Sequence, residues 1–290
     1  MILGFRYDSR ARVCNVDPAK VSKYTARLQR ILTRGWATSK ELERVVGNLQ
    51  FAAWVEPFGR PLLSFIAKEI TPNAPRRVVP VTPFARIAMQ VWILLMQRNR
   101  GLRFRYILNR LPMEKRRIYV DAASSGGLGG YAEYSYFSVA LKHWIPYLRK
   151  CEGWTTFPQV DIAWLELLAA YVAIDFFAAR AAGRYVILYS DNTNVVAWLS
   201  RRRSPSPYVC TLVAAIERLK YEYSLKISAR YIQSARNVSA DLLSRNTIPA
   251  RFKRYGSRLF PDIPRLCSNL SMTNILQHWS ETVATPHPFF

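Results

Sequence analysis

Four acidic side chains lie in parts of this sequence where a carboxylate is energetically costly: Asp121, Glu166, Asp191 and Asp241. A carboxylate among apolar neighbours loses several kcal/mol of hydration unless a cation or hydrogen bonds compensate. The chain keeps these acids although it carries 42 Lys and Arg against 19 Asp and Glu, a formal net charge of +23. We therefore expect the four acids to gather around metal, and clustered carboxylate oxygens suit Mg²⁺ or Mn²⁺.

Each acid ends or interrupts an apolar segment, and these segments are 118–120, 162–174, 185–190 and 237–243. Taken singly, each acid also has a simpler explanation. An aspartate at a strand end can cap a turn, Glu166 can pair with an arginine inside the protein, and Asp241 can favour the first turn of a helix through the macrodipole. The presence of all four is what favours a shared metal site.

Hydrophobic periodicity places the acids on alternating strands and helices. Strand patterns occur at 117–122, 128–134, 136–141, 184–190 and 225–232, and helical patterns at 161–180, 192–200, 208–223 and 237–245. This order predicts an α/β fold, a mixed sheet with flanking helices. Asp121 and Asp191 can meet only if the first and fourth strands are neighbours. The helix between them would then carry Glu166 over the same point, and Asp241 would approach from the side.

Four carboxylates from four elements can hold two divalent ions about 3.5–4 Å apart, the spacing of two-metal phosphodiester chemistry. In that chemistry one ion activates a water and the other stabilises the leaving oxygen. The ions would also explain how the acids tolerate each other, because like charges at this spacing otherwise force protonation.

Composition divides the chain into four regions: a helical region over 1–70, a Pro- and Arg-rich connection with one helix over 71–115, the α/β domain over 116–247, and a basic tail over 248–290. In the first region, Asp17 followed by Pro18 starts a helix over 18–33. Thr38 with Glu41 makes a capping box for a second helix over 38–56. The connection is expected to be semi-rigid because of its prolines, with its helix at about 84–97.

The basic composition points first to nucleic acid and second to an anionic membrane surface, with a solvated charged surface as the simplest alternative. Four scattered cysteines without a C-x-x-C pair disfavour a zinc site and a disulfide scaffold. Charged residues interrupt the apolar stretches, so we expect no transmembrane helix, and the first residues lack a signal-peptide layout.

The acids stand in four short segments: Tyr119-Val120-Asp121-Ala122-Ala123, the helix segment 161–169 with its Glu-Leu pair, Tyr189-Ser190-Asp191-Asn192-Thr193, and the N-x-x-A-D-x-L-S-R ending at 237–245. Together these segments resemble the ribonuclease H domains of gypsy-like and DIRS-like retroelements. The resemblance covers about 116–247. It implies a ribonuclease H-like fold and an endonuclease that cuts the RNA strand of RNA·DNA hybrids with two metal ions. On that basis Asp121, Glu166, Asp191 and Asp241 are both the catalytic residues and the metal ligands.

The N-terminal region resembles the thumb of DIRS-like reverse transcriptases, through Leu3-Gly4-Phe5 and the two helices that follow. Two departures from the family matter. The polymerase motif Tyr-x-Asp-Asp is missing, so we expect no polymerase activity from this chain alone. The histidine that many such nucleases have before the last acid is also missing, and 231–234 occupies that strand end.

Hybrid recognition needs contacts to phosphates and to 2′-hydroxyls. The expected nucleic-acid contacts are Arg98, Arg100, Arg103, Arg105, Arg110, Arg201, Arg202 and Arg203. The expected partners are an RNA·DNA hybrid or other nucleic acid and the rest of a reverse transcriptase or a nucleoprotein, without a membrane, in the nucleus or cytoplasm. One alternative is a catalytically idle scaffold that keeps the fold and the charge. A DNA-processing nuclease or integrase of the same fold is a further alternative, which leaves the thumb-like region unexplained.

Overall fold

The computed structural model describes residues 4–11, 13–99, 101–103, 115–148, 150, 161–204 and 206–284. The chain forms two compact units. The first unit contains the described residues up to 103 together with 276–284, and the second contains the described residues from 115 to 275. This division differs from the four regions expected from composition, because the proline-rich connection belongs to the first unit.

The strands of the first unit are β1 (Phe5–Asp8), β2 (Val13–Val16), β3 (Trp36–Thr38), β4 (Val78–Pro80) and β5 (Leu102–Arg103). Its helices are α1 (Pro18–Arg34), α2 (Ser39–Ala52), α3 (Leu63–Ala67) and α4 (Pro83–Arg98), with a 3-10 turn at Pro57–Leu62. The strands pair in the order β1-β2-β5 and, separately, β3-β4. The helices at 18–33 and 84–97 are confirmed, and the second predicted helix ends earlier, at Ala52.

Local sequence explains where the helices of the first unit begin and end. The Asp17 side chain accepts a hydrogen bond from the Ala19 N–H, and Gly35 ends α1 in the left-handed conformation. The Thr38 and Glu41 capping box at the start of α2 is present. Helices α1 and α4 pack on each other, and Leu28 of α1 and Trp92 of α4 are almost completely buried.

In the second unit the strands are β6 (Lys115–Ala122), β7 (Gly127–Ala132), β8 (Ser135–Ala140), β9 (Tyr185–Ser190), β10 (Lys226–Tyr231) and β11 (Ser257–Arg258). The helices are α5 (Ile145–Leu148), α6 (Ile162–Ala178), α7 (Thr193–Arg201), α8 (Pro207–Glu222), α9 (Val238–Ser244), α10 (Ala250–Tyr255) and α11 (Ile263–Ser268). A last helix, α12 (Met272–Ala284), begins in the second unit, and its residues 276–284 belong to the first unit. Each strand and helix predicted between 117 and 245 is confirmed, with ends that shift by at most two residues.

One mixed six-stranded sheet organises the second unit, in the order β10-β9-β6-β7-β8-β11. The β6-β7-β8 part is an antiparallel meander, and β9 and β10 run parallel to β6. Helices α6 and α8 cover one face and form the main core with apolar side chains such as Ile118 and Val120. Helix α9 packs on β6, β7 and β8 from the opposite face. The predicted α/β class, a mixed sheet with flanking helices, is confirmed.

Helix α6 is apolar on all sides and lies in the centre of this core. With the 3-10 turn after it, the segment Ile162–Ala181 is long and apolar enough to cross a membrane by length and composition, with a mean hydropathy of 1.8. The sequence interpretation expected no such segment. However, 78% of that window is buried inside the protein. Its apolar surface is therefore already covered by the sheet and by α8, which makes it weak evidence for a membrane span.

The expectation of a basic tail over 248–290 is wrong for residues 250–284, which form α10, α11 and α12 with the short strand β11 between the first two. Phe252 of α10 packs against Tyr136 of β8. Leu266, Cys267 and Leu270 join the main core of the second unit. These few apolar side chains are spaced too irregularly for periodicity to detect, yet their burial holds the segment in place. Residues 285–290 lie outside the described part of the chain.

Candidate metal centre

The sheet brings the first and third acids together because β6 and β9 are parallel neighbours. Tyr119 pairs in register with Tyr189, so Asp121 and Asp191, each two residues further on, come to the same edge of the sheet. Asp121 is buried, with 5% of its surface exposed, and Asp191 is partly buried just after β9. The predicted neighbour relation between the first and fourth strands is confirmed.

Glu166 reaches the same point from the first turns of α6, which begins after the N-cap Asp161. Its carboxylate is 4% exposed. It accepts a hydrogen bond of 3.3 Å from Ser190 Oγ and another from the backbone N–H of Ala122. Both donors belong to β6 and β9, so the two strands that carry the aspartates also fix the position of the glutamate.

One carboxylate oxygen each from Asp121, Glu166 and Asp191 lies within 4.8 Å of the others. Oxygens bound to a single Mg²⁺ lie at most about 4 Å apart, so small side-chain adjustments suffice for this group to bind one ion. The donor set is all oxygen, which suits hard divalent cations better than zinc or copper. We refer to these three residues as the carboxylate group, and they can hold a metal ion.

The electrostatics of the carboxylate group show why a cation would stabilise it. Burial raises the pKa of Glu166 to about 9, and the nearby charges of Asp121 and Asp191 add to the rise. Burial also raises the pKa of Asp121 to about 6, although the hydrogen bond from Ser244 opposes the shift. Both shifts arise because an ionised carboxylate is poorly solvated here and faces like charge. A divalent cation would offset both causes, because it would coordinate the ionised oxygens and neutralise the like charges.

Helix α9 supplies contacts that orient the carboxylate group. Ser244 Oγ donates a hydrogen bond of 2.6 Å to Asp121 Oδ2. The buried Asn237 donates from Nδ2 to the Val120 carbonyl oxygen at 2.9 Å, which fastens the start of α9 to β6. Gly129 permits this approach, because a Cβ there would lie 2.3 Å from the Ser244 nitrogen. Sequence reasoning did not single out Asn237 or Ser244, although both are in the quoted N-x-x-A-D-x-L-S-R segment.

Asp241 lies beside the carboxylate group but is not part of it. Its Oδ1 accepts a hydrogen bond of 2.9 Å from Arg245 Nε, and its side chain is 42% exposed. Its charge still contributes to the raised pKa of Asp121. The structure therefore brings three of the four predicted acids together and pairs the fourth with an arginine on its own helix.

The described residues include five of the eight arginines predicted to contact nucleic acid, and these five are in both units. Arg98 is exposed in the last turn of α4, and Arg103 is in β5. Arg201 and Arg203 are exposed around the end of α7. Three of the predicted contacts lie outside the described residues: Arg100, Arg105 and Arg110.

Arg202 differs from its two neighbours because it takes part in an internal charge cluster. It ends α7 in the left-handed conformation, and its Nε lies 3.5 Å from Oε1 of Glu217, which is 1% exposed. The same Oε1 pairs with the buried Lys220. Desolvation lowers the pKa of Lys220, and Glu217 opposes that shift. Arg202 thus contacts the interior, whereas its neighbours Arg201 and Arg203 are exposed to solvent.

The fold and the site together define an α/β protein with a buried carboxylate group that can hold metal. No protein-family model matches the chain, and no curated protein matches it.

Proposed function

We propose that this protein is a metal-dependent nuclease of the ribonuclease H type. The observation that carries the proposal is the convergence of Asp121, Glu166 and Asp191 at one sheet edge. Two of these acids are buried without an arginine or lysine paired to them in the described residues. A site of this kind favours a divalent cation over a structural ion pair. The sheet order and the flanking helices are compatible with a ribonuclease H-like fold.

Mg²⁺ or Mn²⁺, in a pair, would supply an activated water and stabilisation of the leaving oxygen. The chain's own residues have other tasks. Glu166 and Asp121 would hold negative charge at fixed positions, because Ser190 and Ser244 orient their carboxylates. Asp241 would complete the ligand set by releasing Arg245. That release costs little, because ion pairs exposed to solvent contribute about 0–1 kcal/mol.

The proposed substrate is an RNA·DNA hybrid, by the resemblance of the four sequence segments and the net charge of +23. Exposed Arg201 and Arg203 are candidates for contacts to phosphate. Binding should weaken steeply with salt, because each phosphate contact releases counterions. A flat salt response would favour a protein partner instead.

The decisive experiment is a cleavage assay on a labelled RNA·DNA hybrid in Mg²⁺ and in Mn²⁺, with double-stranded RNA and double-stranded DNA as controls. Asp191→Asn should abolish cutting and keep or improve affinity for the hybrid, because it removes both a ligand and negative charge. Asp175→Asn is the matched control. Asp175 is on the same helix as Glu166, but it is paired with Arg265. Equal cutting by Asp191→Asn and the parent would refute the proposed metal site.

The second candidate is a nucleic-acid-binding scaffold without catalytic activity. The pairing of Asp241 with Arg245 favours it, because the fourth acid is then withheld from the carboxylate group. An Arg245→Gln variant separates the two candidates. An enzyme should keep or gain cutting when Asp241 is released, whereas a scaffold should bind the hybrid and cut it in neither form.

A further inference from the structure

A row of stacked tyrosines crosses the sheet of the second unit directly behind the carboxylate group. Tyr119 of β6 lies in register between Tyr131 of β7 and Tyr189 of β9. Its ring stacks on Tyr131 at a centroid distance of 4.8 Å and on Tyr189 at 4.9 Å, with interplanar angles of 10° and 13°. We call Tyr189, Tyr119 and Tyr131 the tyrosine row.

The tyrosine row shares a sheet face with Asp121 of the carboxylate group. Tyr119 is two residues before Asp121, and Tyr189 is two residues before Asp191. Because side chains two residues apart in a strand point to the same face, Tyr119 lies about 7 Å from Asp121 along β6. Asp191 follows directly after the end of β9. Val120, between Tyr119 and Asp121, points to the opposite face and into the main core.

Helix α10 closes one end of the row, and the other end is open. The Arg251 guanidinium lies 4.5 Å from the ring centroid of Tyr131, and Phe252 packs against the same ring. At the other end, Tyr189 pairs in register with Arg230 of β10, which is an edge strand. The three tyrosines are half-buried and Arg230 is exposed.

Two arginines on this face give it positive charge. Arg117, two residues before Tyr119, is exposed and hydrogen bonds to the Tyr119 side chain. Arg230 is exposed beside Tyr189. Within the described residues, neither Arg117 nor Arg230 forms an ion pair with a carboxylate. Arginine and tyrosine side chains are both common donors to the phosphates and sugars of nucleic acids.

We propose that the tyrosine row, with Arg117 and Arg230, binds the sugar-phosphate backbone of the nucleic acid strand that enters the carboxylate group. This inference rests on the proposed function, because that function places a phosphodiester at the carboxylates. Stacking fixes the three rings before binding, so few side-chain rotations are lost when the hydroxyls contact a ligand. The row then sets the path of the strand over the next 7 Å or so of the sheet.

The test separates a binding role from a merely structural one, since stacked aromatic pairs across strands also stabilise a sheet. The full chain is measured in EDTA, where no metal-dependent cutting occurs, with a fluorescent RNA·DNA hybrid and a series of salt concentrations. Tyr119→Phe with Tyr189→Phe keeps the stacked rings and removes two hydroxyls, and it should weaken binding roughly tenfold. The control is Tyr134→Phe, which changes a tyrosine that is 65% exposed in the β7–β8 turn.

A second variant tests the charges. Arg117→Gln with Arg230→Gln should reduce the slope of log affinity against log salt by about two, because each lost phosphate contact removes roughly 0.9. Arg180→Gln is the control, because Arg180 is exposed after α6 and bonds to Ser135, away from the row. Unchanged affinity in the tyrosine variant together with an unchanged slope in the arginine variant would overturn the proposal. So would a loss of affinity that only follows a loss of folding stability.

Failure of this inference is distinguishable from failure of the proposed function. If the parent cuts the hybrid but the row variants bind it as the parent does, only the inference fails. If the parent binds the hybrid through the row but never cuts it, the nuclease proposal fails and the row remains a nucleic-acid contact.

Discussion

Replacing Glu166 by glutamine should stabilise the second unit in the absence of metal, and bound Mg²⁺ should offset most of that difference between the variant and the parent. In the folded protein the pKa of Glu166 is raised to about 9 from an ordinary 4.5, chiefly by burial. Between these values the folded state binds more protons than the unfolded state. Stability must therefore fall as the pH rises through this window. Glutamine has nearly the same shape and does not ionise, so the variant avoids this loss.

The size of the effect follows from the two pKa values. Each pH unit inside the window costs about 1.4 kcal/mol. At pH 7 in EDTA, Glu166→Gln should thus be more stable than the parent by about 3 kcal/mol, and the difference should disappear near pH 4.5. Mg²⁺ should stabilise the parent, because the ion binds the folded carboxylate group. At a concentration one hundred times its Kd, a bound ion adds about 2.7 kcal/mol. The variant lacks a ligand and should gain much less.

Hydrogen exchange of the α6 amides measures the stability difference between Glu166→Gln and the parent, because it reports the opening free energy of the second unit alone. The matched control is Glu217→Gln, which changes a glutamate equally buried but paired with Lys220 and Arg202. This control variant should lose about 3–5 kcal/mol of stability both in EDTA and in Mg²⁺, because the substitution leaves buried positive charge uncompensated. Mg²⁺ should still stabilise it as much as it stabilises the parent. The reasoning is wrong if Glu166→Gln is less stable than the parent in EDTA at pH 7, or if both gain equally from Mg²⁺.

The other predictions concern the contacts around the carboxylate group and the packing of helices. Ser244→Ala removes the hydrogen bond that opposes the raised pKa of Asp121. That pKa should rise further, and the low-pH limb of Mg²⁺ binding measured by titration calorimetry should move to higher pH; an unmoved limb contradicts the assigned contact. Gly129→Ala should destabilise the second unit by about 1–3 kcal/mol, because its Cβ would meet the backbone of α9. Gly47→Ala is the contrasting case. A Cβ there meets nothing within 4 Å in the middle of α2, so the first unit should gain about 0.5–1 kcal/mol in urea unfolding. Lys220→Met should weaken the second unit by about 3–5 kcal/mol, because Glu217 loses a buried partner, and a neutral result would show that this cluster is not needed for stability.

Local sequence was enough to predict the strands and helices that position the four acids, because each has its own boundary residue or periodicity. Asp161 and Asn192 accept hydrogen bonds at the starts of α6 and α7. Ile118 and Val120 alternate with Tyr119 and Asp121, which is the pattern of a strand with one core face. The sequence itself did not show that β6 pairs with β9. That pairing was inferred because Asp121 and Asp191 can meet only if their strands are neighbours. Strand neighbours depend on packing energies spread over the whole sheet.

The pairing of Asp241 with Arg245 could have been predicted, because the two residues are four apart on a helix. The three-residue spacing of Glu217 and Lys220 was equally visible. What the sequence did not reveal was which of these pairs is buried. Arg202 was expected to contact nucleic acid, but in the structure it pairs with the buried carboxylate of Glu217.

The carboxylate group depends on the strand alternation that also builds the core. In β6, the odd-numbered Tyr119 and Asp121 face α9, whereas the even-numbered Ile118 and Val120 face α6. A shift of the β6 pairing by one residue would move the core residues to the opposite face, so the core fixes the register. Because the same register aligns Tyr119 with Tyr189, it also brings the following aspartates together. The energy that places two like charges side by side therefore comes from burying apolar side chains on the opposite face, and a metal ion is needed only to neutralise the charge that results.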